Sequence, residues 1–291
     1  MKRVILFYKY TNIAHPLALR NSQTKLAKRL SLKGRVIISS EGLNATLSGE
    51  SKDIEEYKKE LLSNKDFADI IFKEANIKED VFPRLSIKVR KEIVSLNQEL
   101  DIVSGKNKRG QYISPEDFHN IIQDNNEDVL IVDARNNYES AIGRFKKAIT
   151  PDIDNFRDFP KVVNDLKKYK DKKIVMYCTG GVRCEKASSL LIKKGFRNVY
   201  QLKEGILNYA KYHPEDFEGK CYVFDSRIAV YLDEKNKTII SRCKHCEKES
   251  DIYINCANKK CNLQFICCSE CDKKFEHSCS IECMEIVSVK A

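Results

Sequence analysis

The chain has 291 residues, 42% of them hydrophobic, with 52 Lys and Arg against 42 Asp and Glu for a formal charge of +10. That length exceeds one ordinary domain and suits two or three. No apolar run is long enough to span a bilayer and the segment from Met1 to Tyr10 has too short an apolar core for a secretory signal, so a cytoplasmic protein with no membrane partner is expected.

Val4 to Tyr10 reads as a strand, Pro16 to Leu32 as a helix with proline at its start, and Arg35 to Ser39 as a second strand. Glu41-Gly-Leu-Asn44 looks like a turn, Ala45 to Leu47 its hairpin partner, and Ser51 is placed to cap a helix from Asp53 to Leu62. Strands at Asp69 to Lys73 and Leu85 to Val89 complete a βαββαβ order, which predicts an α+β ferredoxin-like domain over residues 1–92. The hydrophobic period then fades around the basic stretch Gly105-Lys-Asn-Lys-Arg-Gly110, and residues 93–112 read as a linker, either a solvated connection or a phosphate contact.

Ser114-Pro115-Glu116-Asp117 opens a helix: a capping serine, proline at the first position, and acids in the first turn. Strands at Val129 to Asp133, Ile174 to Tyr177 and Asn198 to Leu202 alternate with helices at Lys161 to Tyr169 and Glu185 to Lys194. That alternation predicts an α/β domain over residues 113–220, a parallel sheet with helices on both faces. Phe224 to Leu232 would continue its packing at the start of a cysteine-rich module over residues 221–291.

Cys178 stands where an apolar strand ends and a Gly-Gly turn leads into a helix. Backbone amides and the helix N-terminus there would point at its sulfur and stabilise a thiolate, and Arg183 adds a positive charge. Arg183 would also pair with Asp133 or Glu139. Cys184, just beyond, is either a resolving thiol for Cys178 or a core-packing residue.

Nine of the twelve cysteines lie between Cys243 and Cys283. Cys243 with Cys246, Cys256 with Cys261, Cys268 with Cys271 and Cys279 with Cys283 are four pairs at or near metal-ligand spacing, with Cys267 left over. They predict up to two structural zinc sites of four cysteines each, in simple or crossed order; disulfides or bare thiols are the alternative, and His245 and His277 are possible substitutes.

The segment from Cys178 to Arg183, a cysteine, four residues and an arginine, resembles the active-site loop of the rhodanese superfamily. Related phosphatases have a loop one residue longer, so the shorter ring favours sulfur over a phosphoryl group. Val132-Asp133-Ala134-Arg135 with Tyr138-Glu139, then Gly143-Arg144-Phe145, and Leu202-Lys-Glu-Gly205-Ile206 are similar to flanking segments of the same fold. The longer run Val175 to Ser188, joined to Ser40-Glu-Gly-Leu-Asn44 and the cysteine-rich tail, resembles the bacterial tRNA uridine hydroxylase family over nearly the whole chain. This resemblance implies oxygen-dependent formation of 5-hydroxyuridine at the tRNA wobble position, with molecular oxygen as co-substrate, the anticodon stem-loop as partner and the loop cysteine essential.

The candidate catalytic set is therefore Cys178, Arg183, Cys184 and Asp133, although a carboxylate beside Cys178 would raise the thiol pKa, so Asp133 with Arg135 reads chiefly as a brace. Cys178 would either add as a thiolate to C6 of uracil or carry a persulfide that supplies reducing equivalents. No organic cofactor motif is evident and no sulfur or electron donor is indicated. Lys2, Arg3, Lys9, Lys33, Arg35, Lys106, Lys108 and Arg109 are candidate phosphate contacts. The alternatives are a rhodanese-type sulfurtransferase acting on a small sulfur donor or carrier protein, and a non-catalytic adaptor with a vestigial loop, against which the intact Cys178 and Arg183 argue.

Overall fold

The computed structural model describes residues 1–124 and 126–289. Among them no helix is long and apolar enough to cross a membrane.

The N-terminal domain runs β1 (Lys2–Tyr10), α1 (Pro16–Arg29), β2 (Lys33–Ser39), β3 (Gly42–Glu50), α2 (Ser51–Leu62), β4 (Lys73–Ile77) and β5 (Leu85–Val89). Its sheet order is β4-β1-β3-β2-β5, so the ferredoxin-like layout is present with a fifth strand added in parallel to β2. Side chains alternate across each strand. Ile5, Phe7, Val36, Ile38, Ala45 and Leu47 pack with Leu26, Ala27, Ile54, Tyr57 and Leu61 of the two helices. The opposite face carries Leu6, Tyr8, Asn44, Thr46, Arg35 and Ile37, brought side by side by the register.

Three expectations are corrected here. α1 stops at Arg29 because Ser31 adopts a left-handed backbone with φ 52°, which turns Leu30 and Leu32 into the core. Ser51 begins α2 instead of capping it, and its hydroxyl donates to the Met1 carbonyl at 2.6 Å. The fourth strand starts at Lys73, where it was expected to end, because Phe67 and Ile70 plug the helix core from turns. The expected linker is irregular but packed, with Ile93, Leu96 and Ile102 all buried.

The middle domain contains β6 (Gln111–Ile113), α3 (Pro115–Gln123), β7 (Val129–Asp133), α4 (Asn137–Ile142), β8 (Gly143–Phe145), α5 (Phe159–Leu166), β9 (Lys173–Tyr177), α6 (Val182–Lys193), β10 (Val199–Leu202) and α7 (Gly205–Tyr209). Ser114 caps α3, accepting from the Asp117 amide at 3.1 Å. The strands β6-β10-β9-β7 form a parallel sheet. Alternation along β9 sends Ile174 and Met176 to the α5 and α6 side, and Val175 and Tyr177 to the α3 and α7 side. β11 (Phe217–Tyr222) pairs with β8 and with β12 (Ala229–Tyr231), so the segment after residue 221 does continue the packing of the middle domain.

β13 (Tyr253–Asn255), β14 (Gln264–Ile266), α8 (Ser269–Lys274) and α9 (Ile281–Ser288) make the C-terminal module. Apart from Phe265 and Ile266, its buried apolar core among the described residues is cysteine. It docks on the middle domain through Lys220 to Asp251 at 2.7 Å and the Tyr253 hydroxyl, which donates to the Tyr138 carbonyl at 2.5 Å.

The open face of the N-terminal sheet sits on the start of α6. Glu185, buried, accepts from the Tyr8 hydroxyl at 3.1 Å, the Tyr112 hydroxyl at 2.7 Å and Arg109 at 3.2 Å. Lys186, 2% exposed, reaches Glu41 at 2.8 Å and Glu92 at 2.7 Å. Buried Lys73 pairs with Glu204 and lies 4.7 Å over the Tyr8 ring. Lys186→Ala leaves two carboxylates facing each other without their cation, and is expected to cost about 3–5 kcal/mol in urea unfolding. A loss below about 1 kcal/mol, the scale of a surface pair, would show that this cluster does not fasten the two domains.

Candidate active site

β9 ends at Tyr177, and the chain turns through Cys178, Thr179, Gly180 and Gly181 into α6. Gly181 has φ 97° at the helix entry, a conformation that glycine tolerates and that aims its amide back at the cysteine. Its N–H donates to Cys178 Sγ at 3.2 Å. From behind, the Ile206 amide holds the Cys178 carbonyl at 3.0 Å and the Leu207 amide holds the Thr179 carbonyl at 3.1 Å. Gly205 permits that approach, since a Cβ there would stand 2.4 Å from the Cys178 carbonyl oxygen.

Cys178 is fully buried at the floor of a cavity of about 400 Å³. Volumes of this order are usual for small-ligand pockets. Burial alone would push the thiol pKa up, but the Cys184 thiol, the Arg183 charge and the amides of Cys184 and Arg183 outweigh it and hold it at about 6. Cys184 is itself fully buried, and burial together with its bond to Cys178 pushes its pKa well above the ordinary range. The pair is thus polarised: Cys178 is the thiolate and Cys184 the thiol that donates to it.

Arg183 is fixed by Glu139 through two hydrogen bonds, at 2.5 and 2.7 Å, and touches Thr179 Oγ1 at 3.3 Å. Burial opposes its charge, but Glu139 more than restores it, so the guanidinium stays protonated beside the sulfur. Of the two partners expected for Arg183, the structure selects Glu139. Asp133 is not brought to the cavity. Its carboxylate is consumed by Arg135, at 2.6 Å from Nη2, and by the Tyr177 hydroxyl at 2.8 Å, all fully buried, so it braces the sheet.

Leu6, Asn44 and Thr46 of the N-terminal domain line the cavity with Cys178, Thr179 and Arg183 of the loop. Asn136, Phe156 and Phe224 also line it and were not singled out from the sequence. Asn136 is buried, and its amide nitrogen donates to the Tyr138 hydroxyl at 2.8 Å. Phe224 lies 5.6 Å from the Arg183 guanidinium carbon and shields it. A thiolate nucleophile at this site makes kcat/KM rise with pH through about 6 and level off above, because the sulfur is protonated below that value. A rise centred near the ordinary thiol value of about 8.5 would contradict the electrostatics described.

The expected phosphate contacts separate into two groups. Lys2 and Lys33 share Asp80, Arg3 reaches Glu55 and Glu74, Lys9 reaches Asp69, and Arg109 reaches Glu185. Arg35 lines the cavity and, like Lys106 and Lys108, makes no ion pair among the described residues.

In the C-terminal module Cys243, Cys246, Cys268 and Cys271 gather in one cluster and Cys256, Cys261, Cys279 and Cys283 in another, the sulfurs of each within 4.8 Å of one another. The order is crossed. Sulfur separations of 3.7 Å for Cys246 and Cys268, 3.6 Å for Cys261 and Cys279, and 3.8 Å for Cys279 and Cys283 are far beyond a disulfide. They match the edge of about 3.8 Å of a tetrahedron with metal–sulfur bonds near 2.3 Å. Both clusters could therefore hold a metal ion. His245 instead stacks on Phe275 at 3.9 Å, His277 bonds Asp272, and Cys267 donates to the Cys268 carbonyl.

Residues 2–93 match a UPF0176 acylphosphatase-like domain, 114–212 a rhodanese-like domain and 218–284 a rhodanase C-terminal segment. A protein named tRNA uridine(34) hydroxylase from Aster yellows witches'-broom phytoplasma (strain AYWB) is 44% identical, over 96% of this chain and 91% of that one. Proteins of the same name from Staphylococcus aureus (strain JH9) and Chlamydia felis (strain Fe/C-56) are 42% and 39% identical, over 97% and 99% of this chain and 89% and 88% of theirs.

Proposed function

The chain belongs to the tRNA uridine(34) hydroxylase family, and from that membership we infer that it is an oxidoreductase that hydroxylates C5 of the tRNA wobble uridine with molecular oxygen. The observation that carries this reading to particular residues is a cysteine held as thiolate at the floor of a cavity shared by two domains. The sulfurtransferase alternative is not favoured, since relatives aligned over nearly the full chain bear the hydroxylase name.

Cys178 is the nucleophile. Its sulfur bonds to C6 of uracil, the electron pair of the C5–C6 double bond moves onto C5 and the O4 enolate, and C5 becomes the carbon that oxygen attacks. Loss of the C5 proton and expulsion of Cys178 restore the double bond. The second oxygen atom leaves as water, which takes two electrons and two protons from a reductant. Arg183 and the loop amides favour the sulfur anion both before addition and on expulsion. Cys184 donates to that anion.

The substrate is bound as the anticodon stem-loop, whose unpaired bases can be splayed into a pocket at small unstacking cost. Acting on tRNA, the enzyme works in the cytoplasm. Each four-cysteine cluster holds a structural zinc, a reading supported by the all-thiolate donor sets and tetrahedral spacing.

The test is mass spectrometry of tRNA nucleosides from aerated cells lacking the gene. 5-Hydroxyuridine and its derivatives are lost and return with the wild-type gene; unchanged levels, with no redundant route active, would sink the reading.

A further inference from the structure

Across the open face of the N-terminal sheet the chemistry changes from one strand to the next. On β1 and β3, Leu6, Tyr8, Asn44 and Thr46 cover the thiol loop. On β2 and β5 the parallel register puts Arg35 beside Ser86 and Ile37 beside Lys88. Arg84 and Arg90 lie two residues to either side of that pair and therefore share its face. These four cations surround a second hollow of about 390 Å³, which has Arg35, Ile37 and Arg90 in common with the cavity over Cys178. The two form one groove.

All four are exposed, and none makes an ion pair among the described residues. The other cations on the strands of this sheet differ, because Lys2, Arg3, Lys9, Lys33 and Lys73 are each neutralised by a carboxylate. An unneutralised row of cations leading into a base-sized cavity suits a phosphodiester strand, whose charges repeat along its length while one base turns inward.

We propose that the β2–β5 edge is the track for the RNA backbone beside the target uridine, with phosphates on Arg84 and Lys88 and with Arg35 and Arg90 at the cavity mouth. This rests on the tRNA reading. It names where the strand lies and which side chains hold it.

The experiment uses the full chain, a fluorescent anticodon stem-loop, and the double variant Arg84→Glu/Lys88→Glu, two residues outside the cavity lining. Binding and turnover are measured separately. Kd and KM rise at least about tenfold, kcat stays within about twofold, and the slope of log Kd against log salt falls by about 1.4, near 0.7 per lost phosphate contact. Lys25→Glu/Lys28→Glu makes the same charge change on α1, which packs on the other face of the sheet, and leaves Kd near wild type.

Unchanged binding in the strand variant, or an equal loss in both variants, overturns the track. If the wild type binds the stem-loop but forms no 5-hydroxyuridine, the functional reading fails while binding still judges the track; if it does not bind, both fail. Should the reversed pair melt early, Arg84→Gln/Lys88→Gln repeats the measurement.

Discussion

Cys178→Ala lowers 5-hydroxyuridine formation by at least about a thousandfold, the scale of losing a covalent nucleophile, while stem-loop affinity stays near wild type. The two readouts separate because the mutation removes a buried sulfur from the cavity floor and leaves the basic edge of the sheet untouched. Cys178→Ser is as inactive as alanine. A hydroxyl in the same position makes nearly the same contacts but is not ionised at neutral pH, so Arg183 and the loop amides have no anion to stabilise. Measurable turnover by the serine variant would mean that the amides and Arg183 act on substrate directly and that the sulfur is dispensable.

Metal removal has the second large effect. Structural zinc contributes about 10–16 kcal/mol per site in small modules. Here the buried apolar core of the module is cysteine apart from Phe265 and Ile266, so little else holds it. A strong chelator is expected to release two zinc ions per chain and to expose amides of residues 241–289 to hydrogen exchange, with the strands of the five-stranded and four-stranded sheets upstream still protected. Equal protection with and without chelator, or a purified protein free of zinc, would show that zinc is not what holds the clusters. Loss of the module also frees Tyr138 from Tyr253 and Gln264 from Tyr222, so it loosens the side of the middle domain that carries Glu139 and Phe224.

The thiol loop was legible because its chemistry is local. Strand, glycines and helix follow one another within Lys173 to Lys193, and the Gly181 amide that bonds the Cys178 sulfur comes from its own turn. The cysteine pairs were equally local, although only folding could decide that the first joins the third and the second the fourth. What stayed hidden depends on distant contacts. Tyr8 meets Glu185 across 177 residues, and nothing in either segment names its partner. A signal was present in α6, where Glu185 and Lys186 occupy a helix buried continuously from Cys184 to Leu191, since charged residues at core positions need partners from elsewhere. The short elements α4, β8 and α7 are below the length at which periodicity speaks. Asp133, which the sequence reads chiefly as a brace with Arg135, turns its carboxylate to that fully buried residue and not to the cavity.

The most direct measurement supplies purified protein with unmodified tRNA, a reductant and ¹⁸O₂, and maps the label by nucleoside mass spectrometry. The result expected is one ¹⁸O atom at C5 of uridine 34, absent with Cys178→Ala and absent when the label is in water instead. Unlabelled 5-hydroxyuridine under ¹⁸O₂, or label at another nucleotide, would contradict it.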